Sequence, residues 1–186
     1  MAFGDSFSGF FCLMLKKHVA VFDVDGTLLD GDSLLLAASN SIHGFEKIFA
    51  WLCLLPWCIG FQSKLVSADR LKEAFLRLFS ICRFVNHASE RLLLDNLISR
   101  LRPEAFDRLL WHQRLGHKVV LCSASPRILL KPLADWLGVD LVCTELIGSP
   151  GEWQPKLLGS NCKGDEKVRR LVNHLGPFEN LFIEAY

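Results

Sequence analysis

Two acidic residues, Asp23 and Asp25, follow the apolar run 19–22 (VAVF) and precede a Gly-Thr pair. An apolar, β-branched run of this length predicts a buried β-strand. Because side chains two residues apart on a strand share a face, both carboxylates are expected at the carboxyl edge of the sheet, where open α/β sheets bind ligands. Adjacent anions repel each other, and a hard cation such as Mg²⁺ compensates them most simply. The pattern therefore predicts that Asp23 and Asp25 form a magnesium site.

The composition is typical of one globular domain with room for a small inserted module. The chain has 186 residues, 51% of them hydrophobic, and a net charge of +1. A charge so close to neutral, without a basic run that contains aromatic residues, argues against nucleic acid as a partner. The seven cysteines include no Cys-x-x-Cys pair. We therefore expect neither structural zinc nor a disulfide framework, and a cytoplasmic location.

Further strand-like runs follow the acidic pair along the chain. Apolar runs at 117–122, 141–147 and 181–186 predict the second, third and fourth strands. A Pro-Gly turn signal at 150–151 predicts a hairpin return from the third strand through 153–158. Helices between these strands favour a parallel sheet with right-handed crossovers.

Helical periodicity dominates residues 33–116, a segment too long for one crossover helix. It predicts a helical cap inserted directly after the first strand and its loop. The expected organisation is an α/β core with a Rossmann-like parallel sheet, built from 18–32 and 117–186, with the cap at 33–116. Residues 1–17 are expected to be an N-terminal leader, with Met14 as an alternative start.

The run 48–61 (IFAWLCLLPWCIGF) carries no charged residue. At 14 residues it is too short to span a bilayer as a helix, and Pro56 interrupts it. Two interpretations stay open. We favour a buried helical hairpin, and the alternative is an interfacial surface that contacts lipid.

The motif FDVDGTLL at 22–29, a serine after the second strand (Ser123) and a lysine near a later helix start resemble the haloacid dehalogenase superfamily. The resemblance extends from His18 to Tyr186 and is nearest to the phosphoserine-phosphatase-like branch, whose helical cap is inserted at the same place. It implies a Rossmann-like core, Mg²⁺ as the cofactor and a phosphate monoester as the substrate.

The resemblance also implies roles for individual residues. Asp23 would be the nucleophile that forms an aspartyl-phosphate, and Asp25 would protonate the leaving oxygen and later activate water. The carboxylate of Asp23 and the backbone carbonyl of Asp25 would hold Mg²⁺. Ser123 would donate a hydrogen bond to a phosphoryl oxygen, and backbone amides near Gly26 and Ala124 would help to bind phosphate.

The lysine of the family pattern has two candidates in this sequence. Lys163 stands just before Gly164, and Lys167 stands three residues after it. We favour Lys167, which would hold the nucleophile and neutralise phosphoryl charge. Thr27 fits the loop after the acids, and Asp32 stands where phosphoserine phosphatases carry a substrate-binding glutamate.

In this family, the strand that matches 181–186 (LFIEAY) leads into a Gly-Asp-x-x-x-Asp loop whose acids complete the Mg²⁺ coordination. The printed sequence ends at Tyr186. We therefore expect a chain that is shortened at its C-terminus, with an incomplete metal site and impaired activity.

The preferred function is a Mg²⁺-dependent phosphatase that hydrolyses a small phosphorylated metabolite in the cytoplasm through an aspartyl-phosphate. One alternative keeps this chemistry and places residues 48–61 on a membrane surface. The chain would then be a peripheral lipid-phosphate phosphatase similar to phosphatidylglycerophosphate phosphatases. A second alternative is a non-catalytic remnant of a haloacid dehalogenase-type hydrolase.

Overall fold

The computed structural model describes residues 16–87, 90–149 and 152–186. Four strands form one sheet: β1 (Lys17–Phe22), β2 (Lys118–Pro126), β3 (Asp140–Thr144) and β4 (Leu181–Ala185). The spatial order is β3-β2-β1-β4, and every neighbouring pair is parallel. The predicted α/β class and parallel sheet are confirmed. The predicted leader lies outside the described residues except for its last two.

Six helices lie between β1 and β2 in the described part of the chain. They are α1 (Ser33–Ser41), α2 (Gly44–Gln62), α3 (Ala68–Leu78), α4 (Ile81–His87), α5 (Glu90–Ile98) and α6 (Pro103–Arg114). The connection from β2 to β3 is α7 (Arg127–Leu137), and the connection from β3 to β4 contains α8 (Asp165–Leu175) and a short 3₁₀ helix (Phe178–Asn180). The division into a core and a cap at the boundaries given above stays a prediction.

Alternate residues of β1 pack into two different hydrophobic clusters. Ala20 and Phe22 are fully buried in the larger cluster, which also contains residues of α7 and of the helices between β1 and β2. Val19 and Val21 belong to a smaller cluster against which Leu171 of α8 packs. The sheet is therefore covered on both faces, as a parallel sheet requires, and β1 is one of its two inner strands.

Strand β2 extends further than its apolar residues indicate. Its pairing with β3 continues through Ser123, and after an irregularity Pro126 pairs with Thr144. Strand β3 ends at Thr144 rather than at Ile147, because β2 offers it no partner beyond Pro126. The expected end of the third strand is wrong by three residues for this reason.

The predicted hairpin return through 153–158 is confirmed as a short antiparallel pairing, not as a full strand. Leu146 and Leu157 form an isolated bridge, and the backbone N–H groups of Ile147 and Leu158 donate to the oxygens of Lys156 and Glu145. Pro155 has no amide hydrogen, so it cannot donate to a continuous ladder at this point.

Helix α2 contradicts both parts of the favoured interpretation of residues 48–61. The run forms part of one continuous helix of 19 residues with Pro56 inside it, not a hairpin. An internal proline removes one backbone donor, and here the helix continues through that loss. The buried residues of α2 are Ala50 and Leu54, so most of the helix is not buried.

The length of α2 also corrects the expectation that this segment is too short to cross a membrane. Within the described residues, α2 is the single helix that is long and apolar enough to do so by length and composition, with 11% of its apolar window buried. One helix of this kind is weak evidence by itself.

Candidate active site

The carboxyl ends of β1 and β2 open into a pocket of about 440 Å³. The loop after β1, helix α3, the end of β2 and the segment that leads into α8 line it. Asp23 directly follows β1, and Asp25 lies two residues further on, in a turn. Both side chains line this pocket, as the spacing of the two acids predicts.

The carboxylate of Asp23 is paired with a lysine from the distant helix α8. The Nζ atom of Lys167 lies 3.0 Å from Oδ1 of Asp23, and the backbone N–H of Val24 donates to the same oxygen over 2.8 Å. Lys167 stands in the first turn of α8, after Gly164, whose φ of 58° lets the chain turn into the helix. Lys163 is exposed and also lines the pocket. Of the two candidate lysines, the structure brings Lys167 to the predicted nucleophile.

The carboxylate of Asp25 accepts three hydrogen bonds. The hydroxyls of Ser125 and Ser123 donate to Oδ2 over 2.6 and 3.1 Å. The backbone N–H of Ser33, at the start of α1, donates to Oδ1 over 2.7 Å. These bonds fix the orientation of the side chain between β2 and the first helix.

Ser123 has a different set of contacts from the one implied by the resemblance. Its side chain is fully buried, bonded to Asp25 and to the backbone N–H of Ser125. Ser125, not Ser123, lines the pocket within the described part of the chain. Ser125 is not among the residues predicted from the sequence, although residues two apart on a strand share a face and the pair Ser123 and Ser125 has that spacing.

Lys72 brings a second ammonium group into the pocket, from α3. Its Nζ donates to the backbone oxygen of Ala124 over 2.7 Å and to Oδ1 of Asn161 over 2.6 Å. Burial lowers the pKa of Lys72 to about 8, although the negative charges of Asp25 and Asp32 oppose this shift. Sequence analysis missed Lys72, because a lysine on the polar side of an amphipathic helix has the pattern of a solvated residue.

The other residues predicted for the site differ in whether they line the pocket. Asp32 lines the pocket, but its carboxylate also caps α1 by accepting from the N–H groups of Leu34 and Leu35. Ala124 lines the pocket and uses its carbonyl to hold Lys72. Among the described residues, the pocket lining does not include Gly26 or Thr27. The φ of Gly26 is 78°, and its N–H closes the turn to the oxygen of Gly31 over 3.0 Å.

The donor set at this end of β1 fits a hard divalent cation. Carboxylate and carbonyl oxygens are the ligands that Mg²⁺ prefers, and the acids at 23 and 25 supply both types at one edge of the pocket. Lys167 and Lys72 balance part of the negative charge. Because the carboxylate of Asp25 is held by three hydrogen bonds, the carboxylate of Asp23 and the backbone oxygen of Asp25 are the groups best suited to hold the ion.

The fold and pocket define an α/β protein with a parallel, Rossmann-like sheet and an acid pair after an inner strand. A family model described as haloacid dehalogenase-like hydrolase matches residues 20–181. The chain is 31% identical over 166 residues to Protein CicA of Caulobacter vibrioides (strain NA1000 / CB15N), an alignment that covers 86% of this chain and 73% of that protein. The chain belongs to the haloacid dehalogenase-like hydrolase family.

Solved structures share the fold at lower sequence identity. One is a protein with unknown function from Bordetella pertussis Tohama I, with a TM-score of 0.61, 20% identity, and coverage of 87% of this chain and 76% of that one. Another is a phospho-aspartyl intermediate analogue of phosphoserine phosphatase, with a TM-score of 0.52, 14% identity, and coverage of 91% and 78%. The fold and family predicted from the sequence are therefore confirmed.

Proposed function

We propose that the chain is a Mg²⁺-dependent phosphomonoesterase that forms an aspartyl-phosphate on Asp23. The observation that carries this proposal is the 3.0 Å contact between Lys167 and Asp23 in a pocket that Asp25 also lines. The ammonium group orients the carboxylate and would neutralise part of the charge of an incoming phosphoryl group. The family and the likeness to a phosphoserine phosphatase fold support the same chemistry.

The two acids divide the reaction between them. An oxygen of Asp23 attacks phosphorus and the bond from phosphorus to the leaving oxygen breaks, while Asp25, which enters this step in its protonated form, gives its proton to that oxygen. Water then attacks the phosphorus of the aspartyl-phosphate and gives a proton to Asp25. Inorganic phosphate leaves, and both carboxyl groups return to their starting states. The hydroxyls of Ser123 and Ser125 keep the carboxyl group of Asp25 in position for both proton transfers.

The other groups of the pocket act by charge and position. The carboxylate of Asp23 and the carbonyl of Asp25 would hold Mg²⁺, which supplies electrostatic stabilisation of the phosphoryl oxygens when it is bound. Lys72 is in place to contact a phosphoryl oxygen, or a second anionic group on the substrate, from the side of α3. The pocket volume of about 440 Å³ is in the range of a small-metabolite site.

Hydrolysis of p-nitrophenyl phosphate by the full chain with Mg²⁺ tests this function. We expect Asp23→Asn to lower kcat by about 10³-fold or more, because the nucleophile is lost. Asp30→Asn is the matched control, since Asp30 lies close in sequence but its side chain is 74% exposed. Equal loss in both variants, or retained turnover in Asp23→Asn, would contradict the proposal. A folded wild-type chain that binds phosphate without turnover supports the remnant alternative instead.

A lipid phosphate monoester is a second candidate substrate, and helix α2 favours it. Large apolar side chains of α2 are exposed, among them Ile48 (59%), Phe49 (58%), Leu52 (57%), Leu55 (54%) and Ile59 (65%). A contiguous apolar surface of this kind is unusual on a monomer that is surrounded only by water. An interfacial helix that buries these side chains among lipid acyl chains would remove them from water.

The position of α2 links this surface to the pocket. Trp51 of α2 packs edge-on against the rings of Phe75 in α3 and of Phe79, which directly follows α3. Phe75 and Lys72 of α3 line the pocket. Only α3 would then lie between a membrane in contact with α2 and the acid pair, so the headgroup of a lipid could reach the pocket.

Co-sedimentation with phosphatidylglycerol vesicles tests the lipid candidate. We expect the wild-type chain to pellet with the vesicles and the double variant Phe49→Ser, Leu52→Ser to stay in the supernatant. Leu158→Ser is the control, because Leu158 is equally exposed (59%) but lies outside α2. A wild-type chain that remains in the supernatant would exclude this candidate and leave the soluble metabolite.

A further inference from the structure

A second group of metal-ligating side chains lies toward the amino end of β1, away from the acid pair. His18 is the second residue of β1, His117 directly precedes β2, and Glu184 belongs to β4. One ligand atom of each lies within 4.8 Å of the other two. Four strand residues lie between His18 and Asp23, and the five steps along the extended chain span about 16 Å, so this group is distinct from the pocket.

A chain of hydrogen bonds holds two of these three side chains. Nδ1 of His117 lies 2.8 Å from Nδ1 of His112, and Nε2 of His112 lies 2.9 Å from the hydroxyl of Tyr186. That hydroxyl donates to Oε2 of Glu184 over 3.1 Å. Metal-bound histidines and carboxylates are oriented by partners of this kind. With Nδ1 of His117 engaged by His112, its Nε2 is the nitrogen that can face a metal ion.

His18 is the member of the group that lacks a polar contact. Its Nδ1 is buried without a hydrogen-bond partner among the described residues. Its ring stacks on the ring of His117 with centroids 4.6 Å apart and lies against Phe182 on β4. Buried polar atoms are normally satisfied, so this orphaned nitrogen indicates a ligand that would contact it.

One positive charge faces the group. The guanidinium of Arg108 contacts Oε2 of Glu184 at 3.3 Å and lies 4.1 Å from the ring centre of Trp111, on the outer side of the carboxylate. Arg108 and Tyr186 both contact Oε2, which leaves Oε1 of Glu184 to face a metal ion.

We propose that His18, His117 and Glu184 bind a divalent transition-metal ion, for which Zn²⁺ has the best chemical match. Two imidazoles and one carboxylate form a donor set typical of Zn²⁺ and unlike the all-oxygen sets of Mg²⁺. Tetrahedral zinc with bonds of about 2.0–2.1 Å needs ligand atoms about 3.4 Å apart, so the three ligand atoms, which lie within 4.8 Å of one another, would move closer together when the ion binds. Bound there, the ion joins β1, β2 and β4.

Titration of the full chain with Zn²⁺ by calorimetry, in excess Mg²⁺ to occupy the acid pocket, tests this site. We expect one equivalent to bind, and His18→Ala or Glu184→Gln to weaken binding by about 100-fold or more. His43→Ala, a change at an exposed histidine outside the group, and Asp23→Asn should leave the affinity unchanged. Co²⁺ provides a second readout through its visible absorption, which the same two variants should remove.

Three outcomes would overturn the proposal. The first is the absence of binding at micromolar Zn²⁺, and the second is full affinity in His18→Ala, which would place the ion on cysteine thiols or elsewhere. The third is loss of binding in Asp23→Asn, which would place it in the acid pocket. Circular dichroism checks that each variant is folded, and His117→Asn replaces any variant that is not.

Discussion

The Nζ atom of Lys167 lies 3.0 Å from Oδ1 of Asp23, although β1 and α8 are at opposite ends of the chain. Lys163 stands four residues earlier, at the exposed rim of the same pocket. Lys163 lies in the loop before Gly164, whereas Lys167 lies in the first turn of α8, and this placement decides which ammonium group reaches the carboxylate. The sequence pattern allows both.

Replacement of each lysine by methionine separates their roles. We expect Lys167→Met to lower kcat/KM for p-nitrophenyl phosphate by about 10²–10³-fold, because the carboxylate of Asp23 loses its orienting cation. Lys163→Met should change it by less than about 3-fold, as is usual for an exposed residue without a contact to the reacting groups. The opposite ranking would assign the catalytic role to Lys163.

The pH dependence of KM reports the charge of Lys72. Because burial lowers the pKa of Lys72 to about 8, its side chain loses a proton and its positive charge as the pH rises through this value. If Lys72 contacts the phosphoryl group, KM should rise from about pH 7 to about pH 9, and Lys72→Arg should remove this rise because arginine stays charged. A wild-type KM that is constant over this range would contradict the contact.

Stability gives an independent measure of the same pKa shift. Between pH 8 and the ordinary lysine pKa of about 10.4, the unfolded chain keeps the proton of Lys72 and the folded chain has lost it. The unfolded state then binds more protons, so the contribution of Lys72 to the free energy of unfolding rises with pH in this interval. Urea denaturation of the wild type and Lys72→Met over this range should show the rise in the wild type alone.

Ser125 and Ser123 both hold Asp25, but we expect their alanine variants to differ. Ser125→Ala removes the 2.6 Å bond to Oδ2 at the pocket wall and should lower kcat by about 10-fold. Ser123→Ala also leaves the N–H of Ser125 without its acceptor in a buried place, so it should cost about 1–3 kcal/mol of unfolding free energy. Kinetics and urea denaturation of both variants check this difference. Equal stability of the two would be inconsistent with the buried network.

Asp32 has a structural role that can be separated from substrate binding. Asp32→Ala removes the cap of α1 and should lower the free energy of unfolding by about 1 kcal/mol. Asp32→Asn keeps a capping oxygen, so its free energy of unfolding should differ from that of the wild type by only about a few tenths of a kcal/mol. A rise in KM for Asp32→Asn with unchanged stability would show that the carboxylate also contacts substrate. Thermal and urea unfolding with steady-state kinetics give both quantities.

Several features were predictable because they depend on short-range patterns. The acid pair follows a continuous run of buried apolar residues, and Pro103 and Asp32 stand at helix starts in agreement with local rules. The ends of the strands were less predictable, since a strand extends only as far as its neighbour pairs with it. For this reason β2 includes Ser123 and β3 stops at Thr144.

The sequence by itself determined the acid pair at the end of a buried strand, the parallel α/β sheet and the helical character of the segment between β1 and β2, because spacing and periodicity are local properties of the chain. The tertiary structure decided which residues meet. Lys167 reaches Asp23, Lys72 and Ser125 join the pocket, and α2 turns its apolar side outward. These outcomes depend on how distant segments pack against each other, and no local pattern encodes that packing.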